Sequence, residues 1–175
     1  IPEQGSPQGG VISPWLANLV LDDLDKALES RNLRHVRYAD DFIILCRSQK
    51  EAEEARAFAK LVLEELKLSL HEKKTRIASF QGGFDFLGFH VGAFRLGVRT
   101  KAIEQFKDKV RVLTRRQQGR NVDAVLVKLN PLLRGFANYF GVSEVSGLFR
   151  RLDQWVRSRI RGFKTKRRND RDRAR

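Results

Sequence analysis

The chain has 175 residues, 41% of them hydrophobic, and 35 Lys+Arg against 21 Asp+Glu for a formal net charge of +14. That length and apolar content suit one domain or two small ones. No run of 18 or more apolar residues and no signal peptide occur, and the one cysteine, Cys46, forms no internal disulfide or zinc spacing, which leaves a reduced cytoplasmic protein as the expectation.

The charge is uneven. Residues 1–90 carry 12 basic and 14 acidic side chains, whereas residues 91–175 carry 23 and 7. An excess confined to the second half is the electrostatic footprint of a polyanion-binding module. Methionine is absent and the chain opens Ile1-Pro2-Glu3, so a piece of a longer polypeptide is expected.

Residues 1–10 (IPEQGSPQGG) read as a loop whose Gly5, Gly9 and Gly10 allow close backbone approach. Ser13-Pro14 follows as an N-cap and first-turn proline. Leu16, Leu19, Val20, Leu24 and Leu28 then recur at helical spacing, with Asp22, Asp23 and Asp25 on a solvated face. Residues 35–46 read as two strands joined by a tight Ala39-Asp40-Asp41 turn, with Cys46 in the second strand. Two adjacent carboxylates repel, and a divalent cation between them makes that tolerable. Asp also simply favours turns.

Ser48 and Glu51 form a capping box for a second helix, which carries Ala52, Ala55, Ala59, Val62, Leu63 and Leu66 on its apolar face and ends near Lys67. Residues 68–77 read as a short loop entering a strand, with His71 on the surface. From Phe84 a glycine-punctuated β run continues to Val98, with turns near Gly92 or Gly97. Three helices follow. The first covers about 101–117, ends at Gly119 and points Ile103, Phe106, Val110 and Leu113 inward. The second begins near Val122 and is expected to kink or break at Asn130-Pro131. The third covers about 144–163, with Leu148, Leu152, Trp155, Val156 and Ile160 on one stripe and Arg150, Arg151, Arg157, Arg159 and Arg161 elsewhere. The tail 164–175 has seven basic and two acidic residues and is expected to be disordered without a partner.

Taken together, these segments resemble the group II intron reverse transcriptases and maturases. Gly5-Ser6-Pro7-Gln8-Gly9-Gly10 resembles their Pro-Gln-Gly-Gly segment. Tyr38-Ala39-Asp40-Asp41-Phe42 is similar to their catalytic carboxylate motif. Lys73-Lys74-Thr75 resembles the next palm motif, and Phe86-Leu87-Gly88-Phe89 the hairpin that supports the primer. Leu129-Asn130-Pro131, Arg134 to Phe140 and Leu152 to Trp155 resemble the thumb, or maturase X domain. Ser6, Trp15 and Phe136 depart from the residues common in the family, which are Thr, Leu and Trp.

The resemblance implies an α+β fold: a partial polymerase palm, an antiparallel sheet with helices on one face, followed by a three-helix thumb/maturase bundle. It places the palm and primer hairpin in residues 1–98, the thumb in 99–163 and the basic tail in 164–175. It implies RNA-directed DNA polymerisation and maturase function with two Mg²⁺ ions held by Asp40 and Asp41, and Lys74 near the pyrophosphate. Pro7, Gln8, Gly9, Gly10, Tyr38 and Ala39 would line the site for dNTP and template. Phe86, Leu87, Gly88 and Phe89 would hold the DNA primer. Arg115, Arg116, Arg134, Arg150, Arg151, Arg157, Arg161, Lys164, Lys166, Arg167 and Arg168 would grip intron RNA or another RNA template. The family has a third metal-binding Asp and a fingers domain upstream of Pro-Gln-Gly-Gly. The implied partner is therefore an N-terminal fingers/palm segment, and the isolated chain is expected to be inactive. The runner-up is a non-catalytic RNA-binding maturase or assembly module. The resemblance also leaves room for a nucleoid-associated location, or an organellar one in a eukaryote, and involves no membrane.

Overall fold

The computed structural model describes residues 10–115, 121–143 and 145–173, with the backbone alone for 165–173. The chain divides into two compact units, the first ending at Ile77 and the second beginning at Ala78.

The first unit contains α1 (Ser13–Ser30), β1 (Arg34–Tyr38), β2 (Asp41–Leu45) and α2 (Gln49–Glu65). Pro14 lies in the first turn of α1, but Ile12 occupies the cap position and Ser13 is already helical, one residue off the expected start. Leu21, Leu24 and Leu28 of α1 meet Ala59 and Leu63 of α2 in the core, and Phe42 and Ile44 of β2 pack against the cluster. Leu16, Leu19 and Val20, expected on the buried stripe, are instead 37%, 57% and 43% exposed. Both apolar layers meet α1 only from Leu21 onward, so its first two turns bury no stripe in this unit.

Both helices end in the same way. Asn32 and Lys67 adopt positive φ (56° and 58°). Leu33 N–H donates to Leu28 O and Leu68 N–H to Leu63 O, which satisfies last-turn carbonyls and turns the chain back. The capping box of α2 is present in shifted form. Ser48 Oγ accepts from Glu51 N–H at 3.1 Å, while the Glu51 carboxylate reaches Arg47 N–H at 2.6 Å.

β1 and β2 pair antiparallel, with Val36 opposite Ile43 and Tyr38 opposite Asp41. The loop is thus two residues, Ala39-Asp40, and Asp41 opens β2 rather than sitting in the turn. Opposed residues share a face. His35, Arg37, Phe42 and Ile44 face the helices, and Val36, Tyr38, Asp41 and Ile43 share the other side. The strand expected to begin before Ile77 does not form. His71 O instead accepts from the amides of Lys74 and Thr75, and Ile77 is 41% exposed. Among the described residues this unit has a two-stranded sheet, and it offers that segment no strand to pair with.

The second unit is a meander, β3 (Phe84–Phe86), β4 (Phe89–Val91) and β5 (Leu96–Val98), followed by α3 (Thr100–Leu113), α4 (Val122–Phe140) and α5 (Ser146–Arg173). The three helices bury Phe106, Val110, Leu129, Leu152 and Val156 against one another, the expected bundle. A second cluster of Val98, Phe140 and Val145, with Phe89, Phe136 and Phe149 against it, attaches the meander to the helices. The compact boundary therefore falls at 77/78, whereas the family resemblance draws it at 98/99.

Several local expectations shift. The first reversal in the β run is at Leu87-Gly88, the second lies at Gly92–Arg95, and Gly97 sits inside β5. Helix α3 ends at Leu113 with Thr114 as its cap, four residues before the expected end, and Gly119 lies outside the described residues. Helix α4 runs through Pro131 without a break. Val127 and Pro131 are both exposed, so the carbonyl left without an amide partner faces water. Helix α5 continues to Arg173, so the backbone of most of the expected tail is helical; residues 174–175 and the side chains from Thr165 lie outside the description.

Candidate active site

Asp40 and Asp41 are both exposed at the tip of the β1–β2 hairpin, and neither carboxylate has a hydrogen-bond or ion-pair partner among the described residues. Ala39, the first loop residue, has φ +54°. Two-residue loops that match strand twist use positive φ there, and glycine is the residue that adopts it without strain. Tyr38 is 67% exposed and stands on the face it shares with Asp41.

The tip is tied to α1 by Arg37 of β1. Arg37 donates from Nε to both oxygens of Asp25 at 2.9 Å and from Nη2 to Oδ2 at 2.5 Å. Its Nη1 donates to Asn18 Oδ1 at 2.9 Å and to the Ala39 carbonyl at 3.1 Å. The side chains of Arg37 and Asp25 are only 13% and 21% exposed, so this is not a screened surface pair. The Arg37 hydrogen bonds, opposed in part by burial and aided by the charges of Arg37 and His35, hold the Asp25 carboxyl below its ordinary value. The Asp25 hydrogen bonds push the Arg37 guanidinium up in turn. His35 presents Nε2 to Asp25 at 3.2 Å and Nδ1 to the Leu33 carbonyl at 3.3 Å. Asp25 was expected on a solvated face. The i to i+7 spacing of Asn18 and Asp25 on one helix face was the available signal, and only the tertiary fold brings Arg37 to it.

The other expected site residues fall as follows. Gly10 precedes α1, while Pro7, Gln8 and Gly9 lie outside the described residues. Lys74 is exposed in the turn after α2 and shares no hydrogen bond or ion pair with the hairpin tip among the described residues. Cys46 is partly buried, just past β2; burial and then the Glu51 charge push its thiol up, away from a reactive thiolate.

Phe86 and Phe89 flank the Leu87-Gly88 turn in the second unit. Both turn residues have positive φ, +48° and +81°. The Leu87 carbonyl accepts from Tyr139 Oη at 2.8 Å, and the Gly88 carbonyl accepts from Arg99 N–H at 2.9 Å. Phe89 stacks on Tyr139 at 5.4 Å and meets Phe140 edge-on at 5.0 Å, so its ring is committed to α4.

Arg115, Arg134, Arg150, Arg151, Arg157, Arg161 and Lys164 are exposed, with Arg157 bonded to Asp153 at 2.9 Å. Arg116 and the side chains of Lys166, Arg167 and Arg168 lie outside the described residues. Arg159 is turned inward and donates to the buried Thr114 hydroxyl at 3.1 and 3.2 Å, so it belongs to the packing of the bundle. Lys107 and Arg111 lie over the Trp155 ring.

Residues 2–91 match the family "Reverse transcriptase (RNA-dependent DNA polymerase)", and residues 103–175 match "Group II intron, maturase-specific domain". The chain belongs to the reverse transcriptase family, in its group II intron maturase form.

Similar proteins include Protein YkfC of Escherichia coli K12, 34% identical over 49% of this chain and 32% of that protein. Retron Ec86 reverse transcriptase of Escherichia coli is 30% identical over 59% of this chain and 34% of its own length. The Retrovirus-related Pol polyprotein from type-1 retrotransposable element R1 of Nasonia vitripennis is 29% identical over 66% and 41%. This chain thus spans about a third to two fifths of the relatives it matches. Its fold agrees with the family: small antiparallel sheets, helices on one face of the carboxylate hairpin, and a helical maturase domain. No helix among the described residues is long and apolar enough to cross a membrane.

Reverse transcriptases use Mg²⁺. Asp40 and Asp41 offer hard, exposed carboxylate oxygens with no competing side-chain partner among the described residues, which suits a cation that keeps several waters and borrows substrate phosphates. Among the described residues no group of three or more His, Cys, Asp or Glu side chains could hold a metal ion.

Proposed function

We propose that this chain is the C-terminal palm and thumb portion of a group II intron reverse transcriptase/maturase, and that Asp40 and Asp41 hold the Mg²⁺ of nucleotidyl transfer. The observation that carries this reading is the hairpin tip: two adjacent exposed carboxylates, Asp40 in the two-residue loop and Asp41 opening β2, without a side-chain partner among the described residues and inside the reverse transcriptase match. Bound Mg²⁺ would activate the primer 3′-hydroxyl and neutralise charge on the transferred phosphoryl group. The chain itself supplies the ligands, holds them at fixed spacing on a strand pair, and offers the exposed Tyr38 face to a nucleotide. Lys74 is assigned to the developing pyrophosphate. The Phe86–Phe89 hairpin, braced by Tyr139 and Phe140, is assigned to the primer, and the cationic surface of α4 and α5 to RNA backbone.

A second reading, an RNA-binding maturase module without synthesis, is favoured by one observation: the described residues supply two carboxylates at the tip and no third. Primer extension on a primed RNA template with Mg²⁺ separates the two. The 175-residue chain alone is expected to bind RNA and extend nothing. A full-length polypeptide carrying it is expected to extend the primer, and Asp40→Asn to bring synthesis to background with RNA binding intact. Synthesis undiminished in Asp40→Asn would refute the polymerase reading. No synthesis by the full-length wild type, with RNA binding retained, would select the second.

A further inference from the structure

The Ala39-Asp40 loop does not specify its own conformation. Ala39 holds φ +54°, where an L side chain crowds the backbone, and the Asp40 carboxylate lacks any hydrogen-bond partner among the described residues. One of the restraints on the loop comes from the Arg37 guanidinium, whose Nη1 reaches the Ala39 carbonyl. The same Nη1 also meets Asn18, and Nε with Nη2 form a fork on Asp25. Asn18 and Asp25 lie two turns apart on α1, which is anchored in the core by Leu21, Leu24 and Leu28.

We propose that Arg37 is a positioning residue for the polymerase reaction: it transmits the fixed location of α1 to the carboxylate tip through the Asn18–Arg37–Ala39 bridge. This rests on the reading of Asp40 and Asp41 as the metal-holding pair. Charge balance for Asp25 is met by Nε and Nη2, with His35 beside them, so neutralisation alone leaves the Nη1 bonds unexplained. A planar fork is needed to serve both ends at once. Lysine, with one compact ammonium, satisfies Asp25 or the loop but not both.

The test uses two readouts: hydrogen–deuterium exchange of residues 38–42 in this chain, and primer-extension kinetics of a full-length polypeptide carrying it. Removing Arg37 alone strands the Asp25 charge, so the principal variant is Asp25→Leu with Arg37→Met, which replaces the ion pair by apolar packing. Asn18→Ala and Arg37→Lys accompany it as milder changes that keep a cation near Asp25. In the double variant, exchange at 38–42 is expected to rise at least tenfold and kcat to fall at least tenfold. KM for dNTP should stay within threefold and exchange in α2 unchanged. Asn18→Ala and Arg37→Lys should move both readouts in the same direction by about threefold or more.

Wild-type exchange at 38–42 together with wild-type kcat in the double variant and in Arg37→Lys would overturn the proposal. Exchange rising evenly across 13–65 would also overturn it, since that marks a role in general stability. Asp40→Asn is run beside them. Full synthesis in that variant sinks the carboxylate reading, while exchange at 38–42 still judges the tether by itself.

Discussion

Gly88→Ala tests the geometry of the Leu87-Gly88 turn. Gly88 sits at φ +81°, and a Cβ placed there would lie 3.3 Å from Phe140 Cζ and 3.5 Å from Cε1. The left-handed conformation costs an alanine about 1–2 kcal/mol. Phe140 is 7% exposed and wedged between Phe89, Phe136 and Tyr139 rings at 5.0, 4.7 and 4.8 Å, so it cannot swing aside freely. The tight contact adds the low end of an overpacking penalty, about 1 kcal/mol. Together they predict a loss of about 2–3 kcal/mol for the second unit. At roughly 4–8 °C per kcal/mol for a domain of this size, its thermal midpoint should fall by roughly 10–20 °C. The assay is thermal unfolding followed by Trp155 fluorescence in a Trp15→Phe background, which isolates the bundle. Gly92→Ala is the control: its Cβ would lie 3.7 Å from the nearest atom, at a backbone angle alanine accepts, so stability should stay within about 0.5 kcal/mol. Combining Gly88→Ala with Phe140→Leu should recover the contact part as coupling, about 1 kcal/mol, and leave the backbone part. A Gly88→Ala midpoint equal to that of Gly92→Ala would refute the reasoning.

Two further outcomes follow from charge. Asp25 has its folded pKa depressed below 3.8, so its contribution to stability is complete above that value and is lost as pH falls through the folded pKa. Denaturant midpoints of wild type and Asp25→Asn, measured from pH 7 to pH 2.5, should stay a constant distance apart at the upper end. They should converge only below about pH 4; parallel curves throughout would mean that the Arg37 bonds do not favour the carboxylate. Arg150 and Arg151 are exposed and have no acidic partner among the described residues. Their joint replacement by Gln should reduce the slope of log affinity for RNA against log salt by about 1–2, read by filter binding across salt concentrations. An unchanged slope would remove this face of α5 from the RNA contact surface.

The local elements could be read from the chain because each rests on near neighbours. The Ser48–Glu51 cap, the β-branched and aromatic strands on either side of the hairpin turn, and the Phe106–Val110 and Leu152–Val156 stripes depend on residues within a turn or a strand pair. The carboxylate pair and the family could be read as well, because adjacency in sequence places Asp40 and Asp41 together whatever the rest does. Three things depended on tertiary structure. Strand ends were one: a segment such as Thr75–Ile77 becomes a strand only when another edge is present to accept its hydrogen bonds. Assignment of the meander was another: Phe89 and Val98 found their burial against Phe140, a partner more than forty residues away in the chain. The last was the support of the site. Asp25 looks solvated on its own helix, Arg37 looks ordinary in its strand, and the bond between them exists only because the hairpin folds back on α1. Sequence alone thus determined the family and which groups are candidates for the chemistry, since that is a matter of residue type and adjacency. Tertiary structure decided what braces the hairpin that bears them, since a guanidinium bonds to whatever the fold brings within reach.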